Sequence, residues 1–123
     1  MSKFESLSEI QAVLGNWQES VYTPDVLTPE ARITRMFEEM DEVMDALPSC
    51  DNHKIAGELV DVVIVALGAI QSLGYNADNL IYEKIEVIFR KYNPVINQEL
   101  RANGHSSQSA IDHQKQVWNN TPC

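Results

Sequence analysis

Glu58-Leu59-Val60-Asp61-Val62-Val63-Ile64-Val65-Ala66-Leu67-Gly68-Ala69-Ile70 is the stretch on which the fold turns. Its β-branched run, Val60 and Val62 to Val65, suits a buried strand. Two features decide against a strand. No other segment of the chain offers a partner for it. Glu58, Leu59, Ala66, Leu67 and Ala69 also carry the run past strand length into the helical range. We therefore read a helix from about His53 to Leu73, with Gly74 as its C-terminal stop. From Leu59 to Ile70 this helix is apolar on every side except at Asp61, the pattern of a buried helix.

The segments on either side are helical too. Leu7, Ile10, Val13, Leu14, Trp17 and Val21 recur at three- and four-residue steps, giving a first helix from about Phe4 to Tyr22 that stops before the turn Thr23-Pro24-Asp25. A second runs from about Pro29 to Leu47, with Thr28 as N-cap, Pro29 at the first helical position and Ile33, Met36, Phe37, Met40, Val43, Met44 and Leu47 as its stripe. Pro48 to Asn52 closes it. A fourth runs from about Ala77 to Tyr92, with Asn76 as N-cap and Pro94 beyond its end. Together these predict an all-α, four-helix bundle-like protomer occupying residues 1–93. Residues 94–123 read as a polar tail with room for a short helix around Ser109 to Trp118.

Composition narrows the function. The chain has 123 residues, 44% hydrophobic, with 18 acidic and 9 basic side chains and a formal net charge of −9. A nucleic-acid or membrane-surface protein needs a basic face, so neither partner is expected. An anionic small molecule remains compatible if cations stand between it and the protein. Cys50 and Cys123 make no disulfide framework, and Met1 to Glu5 hold no apolar signal core. The stretch Leu59 to Ile70 is too short to span a bilayer. A cytoplasmic location is the expectation.

Between Met36 and Asp61 lie Glu38, Glu39, Asp41, Glu42, Asp45, Asp51, Glu58 and Asp61, offset by Lys54 alone. Glu39 and Glu42 are i, i+3 neighbours bordering the second helix's stripe, with Glu38 near the same edge. Glu58 and Asp61 form another i, i+3 pair, and a lone buried carboxylate in an apolar helix is costly unless paired or metal-bound. Lys54 is placed to pair with Glu58; nothing basic in the helix is placed to pair with Asp61. Antiparallel packing brings the four carboxylates together, and a divalent cation relieves their repulsion. All-oxygen ligands select Mg²⁺ or Mn²⁺ over zinc. Mg²⁺ shared between carboxylates and phosphates is a phosphoryl-transfer arrangement. Ferritin-like redox chemistry needs Glu-x-x-His pairs, and Glu42 and Asp61 stand where histidines would be required. A solvated acidic face is the bland alternative.

Glu38-Glu39-Met40-Asp41-Glu42 followed by Glu58-Leu59-Val60-Asp61 resembles the EExxE…ExxD signature of the MazG-like, all-α NTP pyrophosphatase superfamily, with fifteen residues between the halves. Glu83-Lys84-Ile85-Glu86 and Phe89-Arg90 are similar to the EKFE…FR pattern that follows it. The resemblance covers about Pro29 to Arg90. It implies Mg²⁺ ligation by Glu39, Glu42, Glu58 and Asp61, with Glu38 supporting a further metal or the attacking water. It also implies Lys84 and Arg90 on the phosphates, and a dimer or dimer of dimers. The apolar third helix, too large for so small a monomer to cover, independently predicts at least a homodimer or homotetramer.

The expected reaction is Mg²⁺-dependent hydrolysis of a (deoxy)nucleoside triphosphate to the monophosphate and pyrophosphate, by water attack at the α-phosphorus with Glu38 or Glu42 as base. Narrower substrates on the same fold are dUTP and phosphoribosyl-ATP. From another class, the alternative is a non-catalytic helical dimerisation or cation-binding module. Trp17 either stacks on the base or belongs to the core, and Gln18 or Asn16 could read the base edge. Arg32 and Arg35 serve phosphate or balance the acidic helix. Lys84 also suits a plain surface position, and Arg90 an ion pair with Glu86.

Overall fold

A computed structural model describes residues 6–121, and every regular element among them is helical. The chain divides into two compact units, residues 1–80 and 81–123. The first holds α1 (Leu7–Val21), α2 (Pro29–Ala46), α3 (Asn52–Ser72) and the start of α4 (Ala77–Lys91). Short 3₁₀ turns, Pro24–Val26 and Leu47–Ser49, join the first three. Phe4 and Glu5, expected in the first helix, lie outside the described residues, as does Cys123. Cys50 is exposed, with a left-handed backbone (φ 54°) at the end of the second turn.

The helix ends follow from local chemistry. The Ser6 and Thr28 side chains accept from Glu9 N and Ala31 N, and Asp51 accepts from His53 N and Lys54 N. Gly74 takes φ +82° after α3, where a side chain would be strained. α2 and α3 form the main helical hairpin, and α1 packs on α3.

The faces that pack differ from the expected stripes. In α1 the buried residues are Gln11, Gly15 and Gln18, whereas Val13, Trp17 and Val21 are exposed. In α2 Arg32, Glu39, Val43 and Ala46 are buried, and Ile33, Phe37, Met40 and Met44 are exposed. α3 was expected to be buried all round. It is buried only at Val65, Leu67, Gly68 and Ala69; Leu59, Val60, Val63 and Asp61 face outward. The physical reason is close approach. Gly15 and Gly68 leave room for the heads of Gln71, Gln18 and Arg32, so small and polar groups occupy the α1–α3 contact. At 21 residues and a mean hydropathy of 1.7, α3 is long and apolar enough to cross a membrane by composition, which the shorter run Leu59 to Ile70 did not suggest. It packs against α1 and α2 instead, and carries Glu58 and Asp61.

In the second unit the chain beyond Pro94, expected as a polar tail with one short helix around Ser109 to Trp118, forms two helices. These are α5 (Pro94–Ala102) and α6 (Ser107–Asn120), which pack on each other. Pro94 opens a helix capped by Asn93, and Ser106 caps the next. The buried Gln114 donates to Asn93 O (3.0 Å) and accepts from Asn97 Nδ2 (2.9 Å).

Candidate metal and nucleotide site

The α2–α3 hairpin brings Glu39, Glu42, Glu58 and Asp61 together. One carboxylate oxygen from each lies within 4.8 Å of the others. The i, i+3 spacing on each helix turns both members of a pair to one side, and the short connection opposes the two sides. The burial is the reverse of expectation. Asp61 is exposed and Glu39 is the buried member, 4% exposed. Asp61 sits on the outward part of α3, whereas Glu39 points into the hairpin beside Val43.

Glu39 is only half satisfied. Its Oε1 pairs with Arg35 Nη2 at 2.8 Å, while Oε2 is buried without a hydrogen-bond partner. Burial pushes its carboxyl above the usual carboxylate range. The neighbouring Glu42 and Asp61 carboxylates push the same way, and the Arg35 guanidinium pulls against them. A buried, unpaired oxygen among like charges is what a cation would relieve, and the donors are all oxygens. The four residues therefore fit a hard divalent metal.

Glu38 stands apart from the four. It is exposed and takes Arg35 Nη1 at 2.8 Å. It lines a neighbouring cavity of ≈ 410 Å³ with Arg32 and Thr34. Among the described residues the only ion pairs are those of Arg35 with Glu38 and Glu39. Lys54 and Glu58 therefore form none, nor do Arg90 and Glu86.

The carboxylates open onto a cavity of ≈ 290 Å³ walled by Trp17, Gln18, Tyr22, Arg32 and Arg35. Trp17 is half exposed there, edge-on to Tyr22 with ring centroids 5.4 Å apart. It is not core. The sequence profile of the family described as phosphoribosyl-ATP pyrophosphohydrolase matches residues 7–86, more than half of the chain. The chain belongs to that family. The phosphoribosyl-ATP pyrophosphohydrolase family is part of the MazG-like all-α NTP pyrophosphatase superfamily, as the carboxylate motif suggested. The chain is thus a pyrophosphohydrolase acting on a nucleotide-like substrate, and the non-catalytic alternative is set aside. No curated protein and no solved structure matches it.

Sequence reasoning singled out four of the cavity's residues and left Arg32, Arg35 and Gln18 undecided. The missed signal was spacing. Arg32, Glu39 and Ala46 are seven residues apart, as are Gln11 and Gln18, so each set shares one helix face. Lys84 and Arg90 belong to the second unit. Lys84 is exposed, and the Arg90 guanidinium lies over the Trp118 ring, 5.9 Å from its centroid.

Proposed function

We propose that the protein hydrolyses a nucleoside triphosphate between its α- and β-phosphates, releasing pyrophosphate, with Mg²⁺ (or Mn²⁺) held by Glu39, Glu42, Glu58 and Asp61. The observation that carries this is the convergence of four carboxylates around the orphaned Glu39 oxygen. A divalent ion bound there supplies charge neutralisation to the phosphate oxygens and acidifies a water. The residues of the chain do the rest. Arg35 holds Glu39 in place from one side. Glu38 or Glu42 takes the proton of the attacking water. Trp17, presented by Tyr22, offers a face on which a base stacks.

The family's described activity makes phosphoribosyl-ATP the first substrate to try, ahead of dUTP and the general (deoxy)nucleoside triphosphates. A panel of these is incubated with Mg²⁺, Mn²⁺ or a chelator, and pyrophosphate is measured. Metal-dependent pyrophosphate release is expected from at least one. Release from none, or release of orthophosphate alone, overturns the reading.

We also propose a homodimer, or a dimer of dimers, formed through the outward stripes of α2 and α3, where Phe37 is 70% and Met44 59% exposed. Large apolar side chains exposed at helical spacing along one element are a mark of an interaction surface. Light scattering at micromolar concentration is expected to give at least twice the chain's 13.9 kDa. A folded monomer would refute it.

A further inference from the structure

Arg32 occupies a position that packing alone does not require. It is 6% exposed, yet it forms no ion pair among the described residues and its buried Nε has no acceptor. The Tyr22 ring lies 5.8 Å from its guanidinium carbon, which orients the plane without satisfying its N–H groups. A guanidinium has five donors and a permanent charge, so burying it unpaired is costly. The fold nevertheless makes room for it. A Cβ on Gly68 would stand 2.8 Å from Arg32 Nη2 and 2.3 Å from Gln18 Nε2. Gln18 is 3% exposed, and its Nε2 is also buried without a partner. Both side chains line the cavity that holds Glu39, Glu42 and Asp61. Arg35, three residues on, is already matched by two carboxylates.

We propose that Arg32 and Gln18 form an anion-receiving subsite that takes the oxygens of a phosphoryl group of the nucleotide substrate, beside the carboxylate cluster. This rests on the pyrophosphohydrolase reading and adds to it the residues that grip the substrate. A guanidinium fork matches phosphate oxygens in a bidentate fashion, and the amide N–H of Gln18 adds a neutral donor. The carboxylates on the same cavity wall disfavour a second carboxylate as ligand. A phosphate shared with a metal suits both sides.

The test uses the full chain and three variants: Arg32→Gln, Arg32→Lys and Gly68→Ala. It measures steady-state kinetics on whichever nucleotide is hydrolysed, titration with inorganic pyrophosphate in Mg²⁺, and melting without ligand. Arg32→Gln is expected to raise KM and weaken pyrophosphate binding by about 10- to 100-fold, the range for a hydrogen bond to a charged group. The change in kcat should be much smaller. Melting should hold or rise, because an uncompensated buried charge has gone. Arg32→Lys should recover part of the affinity. Gly68→Ala should weaken binding without removing the charge. Lower melting with unchanged KM and unchanged pyrophosphate affinity would make Arg32 a packing element and overturn the proposal. If the wild type hydrolyses no nucleotide, the functional reading fails and the pyrophosphate titration alone decides. Binding lost in Arg32→Gln then supports the subsite; equal binding in both, or none in either, overturns it.

Discussion

Gln11 and Gln18 lie on the same face of α1, and both are buried. Around Gln11 every polar atom is answered. Its Nε2 donates to Tyr75 O (3.1 Å) and Leu67 O (3.4 Å), and its Oε1 accepts from the buried Ala77 N at 3.0 Å. Around Gln18 the polar atoms are left over: its own Nε2, Arg32 Nε and Glu39 Oε2. A satisfied buried network fixes a fold, and an unsatisfied one is costly until something binds. The first cluster ties α1 to α3 and to the start of α4. The second opens onto the cavity where the carboxylates meet. On the proposed reading, structure and function divide within one helix.

The largest effect that would break this division is catalytic. Asp61→Asn removes one of the four converging carboxylates from an exposed position, so the fold should be kept. Turnover should drop by at least ~10²-fold, the order of loss when one element of electrostatic stabilisation goes. Asp45→Asn, on the exposed side of α2, is the control and should change little. Pyrophosphate release and melting are read on both. Near-wild-type turnover in Asp61→Asn would move the chemistry away from the cluster.

A smaller effect, on stability, separates the two glutamine clusters. Gln11→Leu leaves the Ala77 N–H buried without its acceptor and should cost about 1–3 kcal/mol in denaturant unfolding. Glu39→Gln should go the other way without metal. A carboxyl whose folded value is raised is destabilising above that value, and the amide carries no such charge. The lost Arg35 pair offsets part of the gain, so Glu39→Gln should melt no lower than wild type at about pH 7. Millimolar Mg²⁺ should raise the wild-type melting temperature and leave that of Glu39→Gln nearly unmoved. A metal response equal in both would take Glu39 out of the metal site.

How much of this was legible follows from what periodicity encodes. The four carboxylates could be placed because i, i+3 spacing on a helix fixes a face whatever packs around it. The caps Thr28, Asn76 and Gly74 were legible because they act through the nearest backbone. The buried face was not, because apolar stripes predict burial against something, and within one chain α1 and α2 turn polar residues inward. For that reason the burial of Arg32 and Gln18 was not legible, although a role on phosphate for Arg32 and on the base edge for Gln18 had been left open. The short helix around Ser109 to Trp118 was legible and is α6, whereas α5 was missed because proline both ends one helix and opens another. Asn93, whose side chain accepts from Val95 N and Ile96 N, decides which.

Asp78 offers a third kind of polar contact, satisfied but only partly buried, and sharpens the comparison with the smallest effect. Its carboxylate accepts from Leu7 N (3.0 Å), Ser8 N (3.0 Å) and Ser8 Oγ (2.5 Å), capping the N-terminus of α1 from the start of α4. The Ser8 hydroxyl, then the Ser8 and Leu7 amides, hold its carboxyl below the usual aspartate range, against a lesser opposing effect of burial. The sign follows from linkage. A lowered folded value means that the folded state prefers the ionised form. The contribution is therefore complete above the unfolded value and lost as pH falls through the folded one. Asp78→Ala should melt below wild type at about pH 7, and the gap should close as pH drops toward about 2. Melting curves of the two proteins across that range check it. A gap that persists at the acid end would mean that Asp78 acts through its shape and not its charge. The satisfied contacts of α1 would then owe nothing to electrostatics, in contrast with the orphaned groups around Gln18.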